Sequence, residues 1–192
     1  MLLNRIESEN RYATAEEQQV LSQYIGWGGL ADAFDESKPN WSEEYQQLKA
    51  ALSPDEYRMA RESTLNAHYT SPVIIRQIYS ALERMGFSKG KRSGTGNGSW
   101  KLFGMLPTTL LGSRLYGIEL DSISGRIAQK LYPMANITVA GFETTNQRDF
   151  YDVAVGNVPF GNYKVNDRAY NRLGFSIHNY FFAKSLDQIR PG

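Results

Sequence analysis

The 192-residue chain contains no cysteine, which excludes disulfides, thiolate zinc sites and cysteine nucleophiles together. Histidine is scarce: His68 and His178 stand alone, without a second ligand at metal spacing, so each reads as a packing or hydrogen-bonding residue and no metal is expected. Neither charge sign dominates. Against 21 Lys plus Arg stand 20 Asp plus Glu, a formal net charge of +1, which excludes nucleic-acid binding by bulk charge and leaves a local basic patch open. No apolar run approaches the ~20 residues that span a bilayer, and the opening Met1 to Arg11 lacks the apolar core of a secretory signal. No membrane partner and a cytoplasmic location are therefore expected. Repeats and low-complexity tracts are absent as well. What is present is the 41% hydrophobic content of an ordinary globular chain, 12 Tyr and 9 Phe, in a length suited to one domain with a short extra piece.

Helix signals dominate the first third. Thr14 and Glu17 have capping-box spacing ahead of Val20, Leu21 and Tyr24. The run Gly26-Trp27-Gly28-Gly29 then stops that helix. Trp41, Tyr45, Leu48 and Leu52 recur at helical spacing, and Ser53-Pro54 opens another helix. Residues 1–66 thus read as a helical N-terminal extension, and 67–192 as the main domain. There Pro72 opens a helix carrying Ile74, Ile75, Ile78 and Leu82. Three short apolar runs follow, near 114–119, 136–140 and 151–156, with helical spacing over Ser122 to Leu131 between the first two. This alternation predicts an α/β fold with those strands mutually parallel. Ser176 to Ile189 reads as a last helix.

Three features carry candidate chemistry. Asn157-Val158-Pro159-Phe160 follows an apolar strand, at the end where open parallel sheets bind ligands. An amide, a proline and an aromatic ring there suit a planar heterocycle with an exocyclic amine; an ordinary strand-ending turn would look the same. Glu119, with Asp121 behind it, ends another strand 25 residues after Gly94, near the ~20-residue interval at which an acid holds a ribose diol. The glycine turn itself is Gly94-Thr95-Gly96-Asn97-Gly98. It lacks the Gly-Lys-Ser/Thr ending of an ATP loop, and the polar, basic stretch Ser88 to Ser93 before it predicts no strand. Lys164, Arg168 and Arg172 follow the Asn-Val-Pro-Phe turn, as phosphate contacts or as a solvated loop.

In order along the chain stand Thr64 to Pro72, Gly94 to Asn97, Phe103 to Pro107, Tyr116 to Asp121 and Asp152 to Gly161. Together they resemble the adenine-specific DNA methyltransferase domain of large phage, plasmid and conjugative-element proteins, often joined to a helicase. The resemblance implies a Rossmann-like fold that binds S-adenosylmethionine and methylates the exocyclic amine of adenine. It implies DNA as a partner and a helicase domain in the same longer protein. Carried over by residue, Tyr69, Thr70 and Pro72 match the segment near the methionine end of the cofactor. Gly94 and Gly96 match the cofactor loop, and Glu119 the ribose-binding acid. Asn157, Pro159 and Phe160 match the catalytic motif, with Val158 where many relatives have proline.

The sequence departs from that pattern in two places. Lys89 to Ser93 stands where relatives have an apolar strand and an acid, so an incomplete parallel sheet is expected; Gly98 to Lys101 looks like a local insertion. The chain also ends at Arg190-Pro191-Gly192, where relatives continue into further strands. Three readings follow: an adenine methyltransferase, a non-catalytic DNA- or partner-binding remnant of one, and a Rossmann module for another nucleotide such as NAD. The Asn-Val-Pro-Phe turn favours the first over the third, and the basic approach to Gly94 favours the second over the first.

Overall fold

A computed structural model describes residues 2–64, 70–96 and 100–191. The chain runs α1 (Leu2–Ser8), α2 (Ala15–Ser22), α3 (Ser42–Ala51), α4 (Pro54–Ser63), α5 (Pro72–Arg84), β1 (Lys91–Gly96), α6 (Trp100–Gly104), β2 (Arg114–Glu119), α7 (Ser122–Leu131), β3 (Asn136–Val139), β4 (Val153–Asn157) and α8 (Ile177–Gln188). Local chemistry sets the helix starts. Thr14 accepts from the Glu17 amide while the Glu17 carboxylate accepts from the Thr14 amide, at 3.3 and 3.0 Å. Ser53 and Glu56 repeat that box at the start of α4. Asp121 accepts from the amides of Ile123 and Ser124 and so caps α7. Ser71 and Ser176 cap α5 and α8.

Among the described residues the sheet has four strands in the order β3-β2-β1-β4, all parallel. Three of them fall on the expected runs. The fourth corrects the sequence reading: the basic approach to Gly94 is itself a strand. β1 occupies an inner position, with Ser93 opposite both Tyr116 and Ala154 and Gly94 opposite both Gly117 and Val155. Gly94 and Gly96 therefore lie within this strand rather than on a loop. The expectation that the sheet lacks a strand at this place does not hold. Its side chains do not look like those of a core strand, because two neighbours supply the apolar character and the backbone ladders on both edges supply the pairing. Arg92 is nevertheless 3% exposed. Its guanidinium donates to the Tyr79 hydroxyl at 2.9 Å and lies 4.8 Å over that ring. Burial, opposed by Arg92, pushes the Tyr79 pKa up, and the Tyr79 hydroxyl donates to the Leu102 carbonyl. Trp100, which looked like part of an insertion, opens α6 and is buried.

Alternate residues of β2 face different layers. A side chain at Gly117 would meet the Phe103 ring of α6 at 3.2 Å, and α7 approaches the Glu119 Cβ at Gly125. Ile118, one residue between them, lines the same cleft as Ile177 and Phe181 of α8. Ile75, Tyr79, Leu82, Trp100, Phe103 and Ala128 form one core. A second joins α1 to α4 to the face of α7 that carries Ile123 and Ile127. Polar ties reinforce it: Gln18 donates to the Lys130 carbonyl at 3.4 Å and Lys130 to the Arg11 carbonyl at 3.2 Å. After α8 the chain returns beside β4, where Tyr151 and Ile189 form a parallel bridge.

Candidate functional site

The carboxyl ends of β2, β3 and β4 open into a cleft of about 680 Å³, within the range of about 300–1,000 Å³ typical of small-molecule sites. Each element contributes the residues at or just past its end. β2 supplies Ile118 to Asp121, the turn after β3 supplies Ala140 to Glu143, and the segment after β4 supplies Pro159 and Tyr163 to Asn166. Ile177 and Phe181 of α8 form one side wall, and Met59, Glu62 and Ser63 of α4 form another. Such placement follows from parallel topology, in which strand ends converge on one edge of the sheet.

Glu119 is the pivotal polar group. It is the last residue of β2 and is only 4% exposed. Its carbonyl accepts from the Ala140 amide at 3.0 Å, which continues the β2–β3 ladder. Its carboxylate accepts from the Asp121 amide at 3.3 Å. Asp121 also receives the Tyr24 hydroxyl at 3.4 Å, so the lip of the cleft is fastened to the helical layer.

The segment after β4 is held down by a buried ion pair. Asp167 accepts from Lys184 Nζ at 2.7 Å, from the Tyr180 hydroxyl at 2.8 Å and from the Ala169 amide at 3.0 Å. Lys184 also donates to the Glu143 carbonyl at 3.1 Å, which ties this segment to the turn after β3. Burial raises the Asp167 pKa, but the bonds from Lys184, Tyr180 and the Ala169 amide outweigh it and leave the carboxyl below its ordinary range. The Tyr180 hydroxyl is pushed up, first by burial and then by its bond to Asp167. Burial, with a bond to Asp187, pushes Tyr170 up to about 12. Gly174 closes this segment in the left-handed region at φ +63°, where a side chain would strain the backbone.

The residues expected from sequence are dispersed around this frame. Glu119 and Pro159 line the cleft, as does Lys164. Asn157 ends β4, half-buried and in register with Gly96. Phe160 is 48% exposed, with its ring 6.1 Å from that of His178, edge to face. Asn157 and Phe160 are not among the described lining residues. Gly94 is buried inside β1. Thr70 precedes α5 and Pro72 is its first residue. Tyr69 and His68 lie outside the described residues. Arg168 and Arg172 are exposed. Sequence reasoning missed Phe142 and Glu143, although their position just past a strand end was a usable signal. It also missed the α4 wall and the Asp167–Lys184 pair, which carry no local signature. Among the described residues no group of His, Asp or Glu could hold a metal ion, and no helix is long and apolar enough to cross a membrane.

Compared with known proteins, the chain is similar to the Defense against restriction protein B of Escherichia phage P1, with 26% identity over 187 residues. The match covers 93% of this chain and 7% of that protein's length. No family model matches, and no solved structure matches. These findings correct the assignment suggested by the motif series. The relative is a restriction-defence protein, so the reading of the chain as an adenine-specific DNA methyltransferase, or as a remnant of one, does not stand. What holds is a mixed α/β fold with an all-parallel sheet and a cleft at its carboxyl edge.

Proposed function

We propose that this chain is a ligand-binding module whose cleft takes a ribose-bearing small molecule of the adenosine type, S-adenosylmethionine being the first to test. We further propose that it serves a protein concerned with defence against restriction. The observation that carries the binding reading is Glu119, a nearly buried carboxylate at the end of a parallel strand, lining a cleft of about 680 Å³. A carboxylate so placed accepts from both hydroxyls of a ribose, and the apolar walls supplied by Ile118, Phe142 and Phe181 suit a planar base. The charge of the lining supports a ligand without phosphates. Glu62, Glu119, Asp121 and Glu143 stand against Lys164, so an anionic ligand such as ATP or NAD meets net repulsion. The restriction-defence role rests on the similarity to the phage protein.

Calorimetric titration with S-adenosylmethionine, adenosine and ATP tests the binding reading. The first two are expected to bind and ATP to bind more weakly. Each charge-assisted bond to a ribose hydroxyl is worth about 1.5–3 kcal/mol. Glu119→Ala should therefore weaken binding at least ~10-fold, which needs only about 1.4 kcal/mol. A folded Glu119→Ala chain with unchanged affinity would overturn the assignment.

A further inference from the structure

The helical layer carries a wall of the cleft, and one side chain docks that wall. Arg126 lies on α7, a few residues past Glu119 and Asp121. Its guanidinium spends all three nitrogens on the N-terminal helices. Nε donates to Glu7 Oε1 at 2.8 Å and Nη2 donates to Asn4 Oδ1 at 3.0 Å and to Glu7 Oε2, both on α1. Nη1 donates to Glu56 Oε1 on α4. The second oxygen of Glu56 accepts from the Ser53 amide at 2.8 Å as half of the α4 capping box. One carboxylate therefore starts α4 and docks it on α7. Glu56, Met59 and Ser63 recur at helical spacing, so they share a face with the fully buried Ala60. Docking that face against α7 places Met59 and Ser63 on the cleft.

We propose that Arg126 is a positioning residue for the ligand site: it holds α4 at the distance from α7 at which Met59, Glu62 and Ser63 close the cleft. The helical layer is then part of the binding site. This inference rests on the reading of the cleft as an adenosine-type site. The pair geometry explains why arginine is needed. A lysine ammonium reaches one carboxylate, whereas the planar fork reaches Glu7, Asn4 and Glu56 at once. Ligand that contacts both Glu119 on the sheet and Ser63 on α4 favours the docked helix, so occupancy and docking stabilise each other.

The test uses the full 192-residue chain as wild type, Arg126→Met, Arg126→Lys and Ser63→Leu. Amide hydrogen exchange of residues 54–63 is followed without ligand, and S-adenosylmethionine and adenosine are titrated by calorimetry. Without ligand, Arg126→Met should exchange faster over 54–63 while α8 keeps its protection, and Arg126→Lys should fall between it and wild type. With ligand, Arg126→Met should bind at least ~10-fold more weakly, with partial recovery in Arg126→Lys, and ligand should slow exchange over 54–63 in wild type. Ser63→Leu leaves the ion network intact and crowds the wall, so it should also weaken binding at least ~10-fold. It tests the α4 wall independently of the network, and Arg126→Lys carries the positioning test if Arg126→Met does not fold. Unchanged exchange or unchanged affinity in a folded Arg126→Met, or wild-type exchange and affinity in Arg126→Lys where Arg126→Met does not fold, overturns the positioning role of Arg126. Unchanged affinity in a folded Ser63→Leu overturns the α4 wall, and neither result touches the cleft reading. Failure of the wild-type chain to bind either ligand overturns the cleft reading and the wall with it.

Discussion

At the scale of single residues, the buried pair between Asp167 and Lys184 sets the strongest local dependence. Both side chains are less than a tenth exposed, 8% and 5% respectively. Removing one partner leaves the other charge without its counter-ion in a low-dielectric setting, which typically costs about 3–5 kcal/mol. Lys184→Met should therefore lower stability toward urea by an amount near the bottom of that range, since Tyr180 and the Ala169 amide still bond Asp167. Replacing both, Asp167→Leu with Lys184→Met, should recover most of the loss. A single-variant loss under about 1 kcal/mol would mean that the pair behaves like an exposed one. The pH dependence has a definite sign. The fold lowers the Asp167 pKa, so its contribution is fully present above the ordinary value of 3.8 and is lost as pH falls through the folded value. The stability gap between wild type and Asp167→Asn should be constant from neutral pH down to the ordinary value of 3.8 and shrink below it. None of this was legible in the sequence, because Lys184 fits an ordinary helix and Asp167 an ordinary loop, and only tertiary folding brings them together. The end of β2 at Glu119, by contrast, was legible, because an apolar strand ending in an acid is a local pattern.

At the scale of elements, α7 shows how closely a helix can lie on a parallel sheet. A Cβ built at Gly125 would sit 2.7 Å from Val139 Cγ2 on β3 and 3.4 Å from the Glu119 Cβ. In an open helix, Gly→Ala stabilises by about 0.8–1.0 kcal/mol. Here the clash decides the sign. Gly125→Ala should destabilise the chain, and Gly125→Ala with Val139→Ala should recover part of the loss. Displacing α7 also shifts the Glu119 backbone, so Gly125→Ala should weaken adenosine binding in the same titration. A stabilised Gly125→Ala would show that β3 yields freely. The starts of α2, α4, α5, α7 and α8 were legible to within a residue, since caps such as Thr14 with Glu17 and Ser53 with Glu56 act through neighbours in sequence, whereas α2 ends at Ser22, ahead of the Gly26 to Gly29 run expected to stop it. The strand β1 was not legible. Lys91-Arg92-Ser93-Gly94 has no apolar alternation, because its partners on both edges and Tyr79 above it provide what its own side chains do not. Tertiary pairing overrides strand propensity most strongly in the middle of a sheet.

At the scale of the whole molecule, the helical layer and the sheet layer share α7. Ile123 and Ile127 pack with Leu3, Ile6 and Ala60, while Ala128 of the same helix packs with Tyr79 and Phe103. Tyr24 and Leu131 are packed against both cores. A helix that supplies apolar surface to two cores cannot leave one without exposing the other, so the two layers should unfold together. The tryptophans report on each side separately. Trp27 sits between Tyr24 and Phe34, 5.8 and 5.5 Å away, and Trp41 packs against the same core. Trp100 is 4% exposed in the other core. A Trp100→Phe chain therefore carries fluorescence from the helical layer, and a Trp27→Phe/Trp41→Phe chain carries it from the sheet side. In urea, each variant should show one transition, with its fluorescence midpoint equal to its own far-ultraviolet circular dichroism midpoint, whatever stability the substitutions themselves remove. Comparing two probes within one variant makes the test insensitive to that loss. If the helical layer melted first, the Trp100→Phe chain would lose fluorescence at lower urea than its dichroism, and α7 would then be keeping the sheet core intact with Ile123 and Ile127 exposed. Coincident midpoints would instead place the α4 wall, the Arg126 network and Glu119 in a single cooperative unit, so that the cleft exists only while both layers are folded.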